Sequence, residues 1–295
     1  MAGFSSSSGK HLSRRRVLQG GLLGAGALAL YSGEVERHWI EVKRIDIHLR
    51  NLPEAFEGLR VAQLSDIHLD EFTEPLFLRH AVDEMNRLHA DLVLLTGDFV
   101  SDGPRSRRFA RGAAWQCANA LRDLTCKRQF AVLGNHDVLV GSKQVSAALT
   151  ANGITVLDNA CLPVEGSGGR IWLAGVDDPL EGDPDPEKAI PVSIRNVPGE
   201  PVILMCHAPD YADDLLTQPV GKAVDLMVSG HTHGGQIRLP LIGALSLPEM
   251  GQKYIEGWFQ LGEMQLYVNR GIGTVGLPFR FDCPPEITLM TLRRG

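Results

Sequence analysis

Five short polar clusters follow apolar segments of this chain, and their residue types are those that bind metal ions. The clusters are Asp66-Ile67-His68, Gly97-Asp98, Gly134-Asn135-His136-Asp137, His207 and Gly230-His231-Thr232-His233. Carboxylate, amide and imidazole donors without cysteine form an oxygen and nitrogen ligand set that suits manganese, iron or zinc. A carboxylate such as Asp98 has two oxygens and can therefore bridge two ions. The residue types predict a site for two divalent metal ions.

Spacing within the clusters supports a shared target for their side chains. Residues at positions i and i+2 of an extended segment point to the same side. Asp66 and His68 can therefore direct both side chains at one point, and so can His231 and His233.

Each cluster also has a simpler structural interpretation when it is taken alone. Asp66 and His68 could be a hydrogen-bonded pair at a strand end, and Gly97-Asp98 could be an ordinary turn. Asn135-His136-Asp137 could be an Asx-type turn, and His207 a core-edge histidine with satisfied hydrogen bonds. The five clusters taken together favour metal binding over these interpretations.

The apolar segments ahead of the clusters are rich in Val, Leu and Ile and predict buried β-strands. They cover residues 59–64, 91–96, 129–133, 201–206 and 223–229. Ligands of open α/β sheets bind beyond the carboxyl ends of the strands, which is where every cluster lies.

Helices are predicted between these strands, because apolar residues recur there at helical spacing. They cover 75–90, 109–124, 142–151 and 209–218, with Ser142 as a plausible N-cap of the third. The alternation of strand and helix predicts an α/β fold.

The ordered motifs D-x-H, G-D, G-N-H-D, H and G-H-x-H resemble the signature of the calcineurin-like metallophosphoesterases. The resemblance covers roughly residues 58 to 292. It implies a four-layer α/β/β/α sandwich formed by a single domain over residues 58–295, preceded by an N-terminal strand and lead-in over 34–57. Strands over 265–269 and 286–292 are expected to complete the second sheet.

The resemblance also implies a role for each motif residue. The implied ligands of the first metal ion are Asp66, His68, Asp98 and His233. The implied ligands of the second ion, with Asp98 as the bridge, are Asp98, Asn135, His207 and His231. His136 would be the catalytic histidine, with Asp137 as its orienting partner.

Hydrolysis of a phosphodiester or pyrophosphate bond is the chemistry that such a set supports. Two cations about 3.5 to 4 Å apart hold phosphoryl oxygens and lower the pKa of water, so that hydroxide would be the nucleophile. A histidine such as His136 can protonate the departing oxygen. The sequence contains neither G-x-S-x-G nor G-x-x-x-x-G-K-[ST], so a serine hydrolase or a nucleotide-powered protein has no motif to support it.

Residues 1–33 form a separate segment that predicts export. Ser13-Arg14-Arg15-Arg16-Val17-Leu18-Gln19 places an arginine pair ahead of a Gly/Ala-rich apolar stretch, as in twin-arginine signals, and Ala27-Leu28-Ala29 could be cleaved. The alternative is a basic N-terminus with a short membrane anchor, although the stretch falls short of ~20 residues. We expect the exported bacterial phosphodiesterase branch of the family, a periplasmic location or attachment to the outer face of the cytoplasmic membrane, and the twin-arginine translocase as a partner during export.

Composition fits one enzyme domain and excludes a nucleic-acid binder. The chain has 295 residues, of which 44% are hydrophobic, enough for one large core. Its net charge is −6, and the leader contributes Lys10, Arg14, Arg15 and Arg16, so the remainder is near −10 (−6 minus 4) and lacks a basic footprint. Five cysteines without C-x-x-C spacing do not predict a disulfide framework.

Two loops could shape substrate choice. The acidic loop 177–186 could border the substrate mouth or could simply be solvated. The segment Leu239–Met250 is unusually apolar, and it could contact lipid or an acyl chain, although core packing is favoured.

The expected substrate is a phosphoester, lipid-linked or associated with the cell envelope, and membrane association is possible. One alternative is a UDP-2,3-diacylglucosamine-type hydrolase of lipid A synthesis held at the inner membrane. Another is a non-catalytic metal-binding scaffold, against which the complete ligand set and His136 argue.

Overall fold

The computed structural model describes residues 14–69, 72–103 and 110–295. The helices in these ranges are α1 (Arg14–Leu30), α2 (Pro75–Arg87), α3 (Ala110–Leu121), α4 (Asn135–Ala151), α5 (Pro186–Ala189) and α6 (Tyr211–Thr217). The first seven strands are β1 (Glu41–Leu49), β2 (Arg60–Leu64), β3 (Leu92–Thr96), β4 (Gln129–Val132), β5 (Thr155–Val156), β6 (Ala160–Gly166) and β7 (Gly169–Gly175). The strands that follow are β8 (Val202–Met205), β9 (Leu226–Ser229), β10 (Arg238–Leu239), β11 (Gly243–Ala244), β12 (Gly257–Leu261), β13 (Met264–Val268) and β14 (Glu286–Arg294).

Two mixed sheets face each other. The first sheet has the order β1-β14-β2-β3-β4-β5, and the second has the order β12-β13-β9-β8-β7-β6. Strands β2 to β5 run parallel and are joined by α2, α3 and α4, so their carboxyl ends meet at one edge. Strands β7, β8, β9 and β13 are also parallel, with β6 and β12 pairing antiparallel at the two borders.

Three apolar cores separate four layers. One core lies between the sheets and includes Leu94, Val132 and Val228. A second core packs α2, α3 and α4 on the outer face of the first sheet, and a third packs α5 and α6 on the outer face of the second. Strands covered on both faces must be apolar along their whole length, which explains the uninterrupted Val, Leu and Ile runs. The predicted four-layer α/β/β/α architecture and its five motif strands are confirmed.

One strand was assigned to the wrong sheet. We predicted that residues 286–292 complete the second sheet, whereas β14 lies in the first, parallel to β1 and antiparallel to β2. Its side chains are buried on both faces, with Met290 in the core between the sheets and Leu289 in the core under the helices. An apolar run of this kind predicts a buried strand but does not specify its partner.

One helix prediction differs from the structure at its start, and a second can be compared only over its described residues. Helix α4 begins at Asn135 rather than near Ser142, and Gly141, with φ of 131°, interrupts it between the two parts. The motif residues Asn135, His136 and Asp137 therefore lie in the first turn of a helix. For the predicted helix 109–124, Phe109 lies outside the described residues, and α3 covers Ala110–Leu121.

The N-terminal segment carries a helix with no buried residue. Helix α1 spans Arg14–Leu30, and the residues before it, including Lys10 and Ser13 of the predicted export signal, lie outside the described part. Among the described helices, none combines the length and the apolar character needed to cross a membrane. The five cysteines are free.

Candidate metal centre

The five polar clusters converge at the carboxyl ends of β2, β3, β4, β8 and β9. Ligand atoms there form three overlapping groups, within each of which the atoms lie no more than 4.8 Å apart. The groups are Asp66, His68 and His233; His68, Asp98 and His136; and Asp98, His207 and His231.

Asp98 connects the two ends of this cluster. Its Oδ2 lies 3.4 Å from His68 Nε2 and 3.1 Å from His207 Nε2. On the first side, His68 Nε2 lies 3.1 Å from His233 Nε2. On the second side, His207 Nε2 lies 3.2 Å from His231 Nδ1. The carboxylate therefore belongs to two of the three groups and lies next to His68, which connects it to the group with Asp66 and His233, as expected of a bridging ligand.

Asn135 provides an observation that fits a metal ion. Its side-chain Oδ1 is buried and has no hydrogen-bond partner among the described residues. An unsatisfied buried polar group costs about 1 to 3 kcal/mol, so this oxygen requires a partner. A cation bound by the cluster would satisfy Asn135, and the oxygen and nitrogen donor set is suited to a divalent metal.

The outer ring nitrogens of three histidines are bound to oxygen atoms. His68 Nδ1 lies 2.9 Å from Ser101 Oγ, His207 Nδ1 lies 2.6 Å from the Thr96 carbonyl oxygen, and His231 Nε2 lies 2.7 Å from the Glu249 carbonyl oxygen. Such contacts orient the ring and select the tautomer that leaves the other nitrogen free for a metal.

The backbone of the cluster is strained at its ligands. Asp66, His68, Asp98, His231 and His233 all have positive φ, between 47° and 72°. This conformation is uncommon for residues with a side chain, and strain of this kind concentrates at functional sites. Five strained residues in one cluster are consistent with side chains that must converge.

Burial shifts the pKa values of three histidines toward the neutral form. It lowers the pKa of His68 to about 3 and that of His231 to about 4. The pKa of His233 is held well below its usual value by burial and by the neighbouring His68. Neutral imidazole is the form that binds metal.

The aspartates and His207 respond to burial and to one another. Burial raises the pKa of Asp66 to about 6. Burial also acts to raise the pKa of Asp98, but the charges of His207 and His136 hold it well below its usual value. Burial alone would lower the pKa of His207, whereas the Asp98 carboxylate raises it well above the usual value. Asp98 is therefore the carboxylate of the cluster that stays ionised most readily.

His136 lies beside the bridging carboxylate. Its backbone N–H donates to Asp98 Oδ1 at 3.0 Å, and its Nδ1 accepts a hydrogen bond of 2.9 Å from the backbone N–H of Asp102. The ring packs edge to face on His68, with 4.9 Å between ring centroids. Asp102 was not identified from the sequence, because a backbone donor leaves no residue-type signal.

The expected role of Asp137 is corrected. Its carboxylate does not face the ring of His136 but accepts hydrogen bonds from three backbone N–H groups, those of Phe99 (2.9 Å), Val100 (3.2 Å) and Gly134 (3.0 Å). Asp137 therefore ties the loop after β3 to the start of α4. In the first turn of a helix, the adjacent residues 136 and 137 point in different directions.

A cavity of about 390 Å³ opens above the cluster. Its polar floor is formed by Asp98, Asn135, His136, His231 and His233. Its apolar walls are formed by Ile237, Leu245, Pro248, Val275 and Leu277.

The favoured core packing of Leu239–Met250 is wrong for its central apolar residues, although Met250 at its end packs against the third core. Leu241 is fully exposed, and Ile242 and Leu245 are 72% and 57% exposed. The short β10–β11 pair holds this segment as a hairpin at the cavity instead.

The acidic loop 177–186 is held in place by hydrogen bonds. Asp177 Oδ2 accepts a hydrogen bond from the Asp183 N–H, and Asn159 Oδ1 accepts one from the Asp185 N–H.

Comparison with known proteins identifies relatives of the whole chain. The model of the family described as calcineurin-like phosphoesterase matches residues 59–235. An uncharacterized metallophosphoesterase of Bacillus subtilis, YkuE, is 35% identical over 96% of this chain and 99% of its own length. The phosphodiesterase YaeI of Escherichia coli is 31% identical over 95% of this chain and 99% of its own length. UDP-2,3-diacylglucosamine pyrophosphatase LpxG of Chlamydia muridarum is 25% identical over 88% of this chain and 92% of its own length.

Proposed function

We propose that this chain, which belongs to the calcineurin-like phosphoesterase family, is a hydrolase that cleaves a phosphodiester or pyrophosphate bond with two divalent metal ions. The first ion would be held by Asp66, His68, Asp98 and His233. The second would be held by Asp98, Asn135, His207 and His231. The donor set suits manganese, iron or zinc.

One observation carries this proposal. A single carboxylate oxygen, Asp98 Oδ2, lies within 3.4 Å of His68 and 3.1 Å of His207, which belong to different ligand groups. A site for one ion needs one group of ligands, whereas two groups that share a carboxylate form two adjacent sites. The unpartnered oxygen of Asn135 on the second side supports the same conclusion.

The residues around the cluster provide the remaining chemistry. When bound, two divalent cations supply positive charge that polarises a phosphoryl group and lowers the pKa of water. His136 forms part of the cavity floor. Its Nδ1 accepts a hydrogen bond from the Asp102 N–H, so the proton of the neutral ring lies on Nε2. That N–H can donate a hydrogen bond to the oxygen that leaves phosphorus and stabilise the negative charge that develops on it. Asp137 fixes the loop that carries Asp98 relative to His136.

The cavity walls support a substrate with an apolar part. A polar floor below apolar walls matches a molecule that has a phosphate at one end and a hydrocarbon chain at the other. The exposed hairpin with Leu241 and Ile242 would extend the apolar surface beyond the mouth, or contact a membrane. A lipid-linked or envelope-associated phosphoester is therefore our proposed substrate class, and an acylated nucleotide sugar such as that in the name of LpxG is one specific candidate.

The N-terminal arginines support a proposed location. Arg14 and Arg15 begin helix α1, ahead of its apolar, Gly-rich part, as expected of a twin-arginine export signal. We propose that the protein acts outside the cytoplasm, in the periplasm or at the outer face of the cytoplasmic membrane, after export by the twin-arginine translocase.

A hydrolysis screen tests the proposed function. Purified protein is stripped with a chelator, reconstituted with Mn²⁺ and given bis(p-nitrophenyl) phosphate, p-nitrophenyl phosphate and an acylated sugar pyrophosphate. We expect hydrolysis of the diester and the pyrophosphate, and no reaction without metal. Two bound metal ions with no hydrolysis of any substrate would instead indicate a metal-binding scaffold.

The proposed lipid preference has its own matched variants. Leu241→Ser and Ile242→Ser should raise the KM for the acylated substrate and leave hydrolysis of the soluble diester unchanged. The control is Val192→Ser, because Val192 is also exposed, at 75%, but belongs to a separate turn and not to the hairpin beside the cavity. Equal effects on acylated and soluble substrates would contradict an acyl-binding role.

A further inference from the structure

Arg280 is the largest fully buried side chain among the described residues, with 0% exposure. It follows an apolar stretch near the end of the chain and belongs to none of the motifs. Within the described ranges its guanidinium forms no ion pair with a carboxylate. Burial of a charged group costs several kcal/mol unless polar partners compensate for it. The polar partners of Arg280 therefore have to account for the burial of its charge.

Backbone carbonyl oxygens provide that compensation. Arg280 Nε donates to the Gly273 carbonyl at 3.1 Å, and Nη1 donates to the Cys283 carbonyl at 3.1 Å. Nη2 donates to the carbonyls of Arg270 (3.0 Å), Gly271 (3.1 Å) and Gly273 (2.6 Å). The planar guanidinium thus fixes the segment 270–273 by several bonds at once, as a lysine could not.

The segment 270–273 is packed directly on a metal-group residue. The Ile272 N–H donates to the Ser65 carbonyl at 3.1 Å, and the Gly273 N–H donates to the Asp66 carbonyl at 2.7 Å. Gly271 and Gly273 leave no room for a side chain, because a Cβ at either position would collide with Asp66 or with the Ile67 carbonyl. Arg280 therefore acts on Asp66 through this segment.

Arg280 also reaches a second residue of the same group. Its Nη2 lies 3.4 Å from His233 Nδ1. The outer nitrogens of His68, His207 and His231 face neutral oxygen atoms, so His233 differs from them in having a cation behind its ring. Within the described part of the chain, Arg280 forms no hydrogen bond with Asn135, His207 or His231.

We propose that Arg280 is a positioning residue for the first metal site alone, holding Asp66 through the segment 270–273 and His233 through its outer nitrogen. This inference rests on the proposed function only in requiring that both ligand groups bind metal. Orienting partners behind metal ligands typically change metal affinity by about 10- to 100-fold. The first site should lose this affinity when Arg280 is replaced, and the second should not.

The test is a Mn²⁺ titration of the full chain by calorimetry, with elemental analysis of the bound metal. Arg280→Lys keeps the positive charge but loses the planar guanidinium with its several N–H donors. It should weaken the metal affinity of one of the two sites by roughly 10- to 100-fold. Arg195→Lys is the control, because the Arg195 side chain is also largely buried and also donates to backbone carbonyls, those of Ile190 and Glu187, but contacts no residue of the metal cluster or of the segment 270–273. It should weaken neither site selectively. Gly273→Ala perturbs the same segment from its other side and should reproduce the selective loss if Arg280→Lys does not fold.

The affected site is identified in an Asn135→Ala background, which impairs the second site. Arg280→Lys should still weaken the remaining site there. Equal weakening of both sites, no weakening, or the same selective loss in Arg195→Lys would overturn the role of Arg280. If Arg280→Lys loses metal selectively but the protein hydrolyses no phosphoester, the role of Arg280 stands and the proposed function is wrong.

Discussion

Replacing Gly134 with alanine should inactivate the enzyme through a single added methyl group. Gly134 precedes α4 with φ of −106° and ψ of 177°, an extended conformation that alanine adopts without strain. The residue is not a metal ligand. Any loss of activity must therefore come from what the methyl group contacts.

The magnitude follows from the available space. A Cβ at residue 134 would lie 2.7 Å from His207 Nε2 and 2.8 Å from Asp98 Cγ, and closer still to Asp98 Oδ1. Optimal carbon contacts are about 3.5 to 4.0 Å, so the two side chains must move by roughly 1 Å. A misplacement of ~1 Å in a catalytic group costs on the order of 10²-fold in rate. We expect kcat/KM to fall by about that factor, with metal loss from the second site.

The assay compares Gly134→Ala with Gly112→Ala. An added Cβ at Gly112, on the exposed side of α3, has no atom within 4 Å, so this control should keep full activity. It should also be slightly more stable, because Gly→Ala in a helix contributes about 0.5 to 1 kcal/mol. Thermal unfolding of both variants separates misfolding from a local effect. Full activity in a folded Gly134→Ala protein would refute the placement of Asp98 and His207 around this residue.

Three further predictions follow from the site and the leader. Asp98→Ala should remove nearly all activity and lower the metal content from about two ions per chain, and unchanged metal in elemental analysis would reject the bridge. His136→Ala should keep both metals and slow turnover by roughly 10²- to 10⁴-fold, with a smaller loss for nitrophenolate leaving groups. Metal loss in that variant would mean that His136 is a ligand. Changing Arg14 and Arg15 to Lys should retain folded protein in the cytoplasm, and its appearance outside the inner membrane of cells lacking the twin-arginine pore would contradict this route.

The positions of the motif residues could be predicted, because a small number of structural rules determine them. Uninterrupted apolar runs specify buried strands, and parallel strands bring their carboxyl ends to one edge. Asp66, Asp98 and His207 lie at such ends, so their convergence follows from chain order. The spacing of His231 and His233 placed both rings in the cluster, although the positive φ of each residue departs from the extended geometry assumed.

Features that depend on partners rather than on local pattern were missed. β14 has the pattern of a buried strand, which does not indicate the sheet to which it belongs. The resemblance implied Asp137 as the partner of His136, whereas its carboxylate accepts from backbone donors in the structure. The apolar residues around Leu241 indicated burial, but the hairpin leaves them exposed. Arg280 carries no motif, since its partners are carbonyl groups that any sequence provides.

Metal stoichiometry measured together with hydrolysis tests the two-metal site most directly. Metal-free protein is titrated with Mn²⁺, and bound metal and the rate of bis(p-nitrophenyl) phosphate hydrolysis are recorded on the same samples. Because the two ligand groups share Asp98, we predict that the rate rises until two ions are bound per chain and that chelation abolishes it. Full hydrolysis with one ion per chain, or with none, would contradict a dinuclear site.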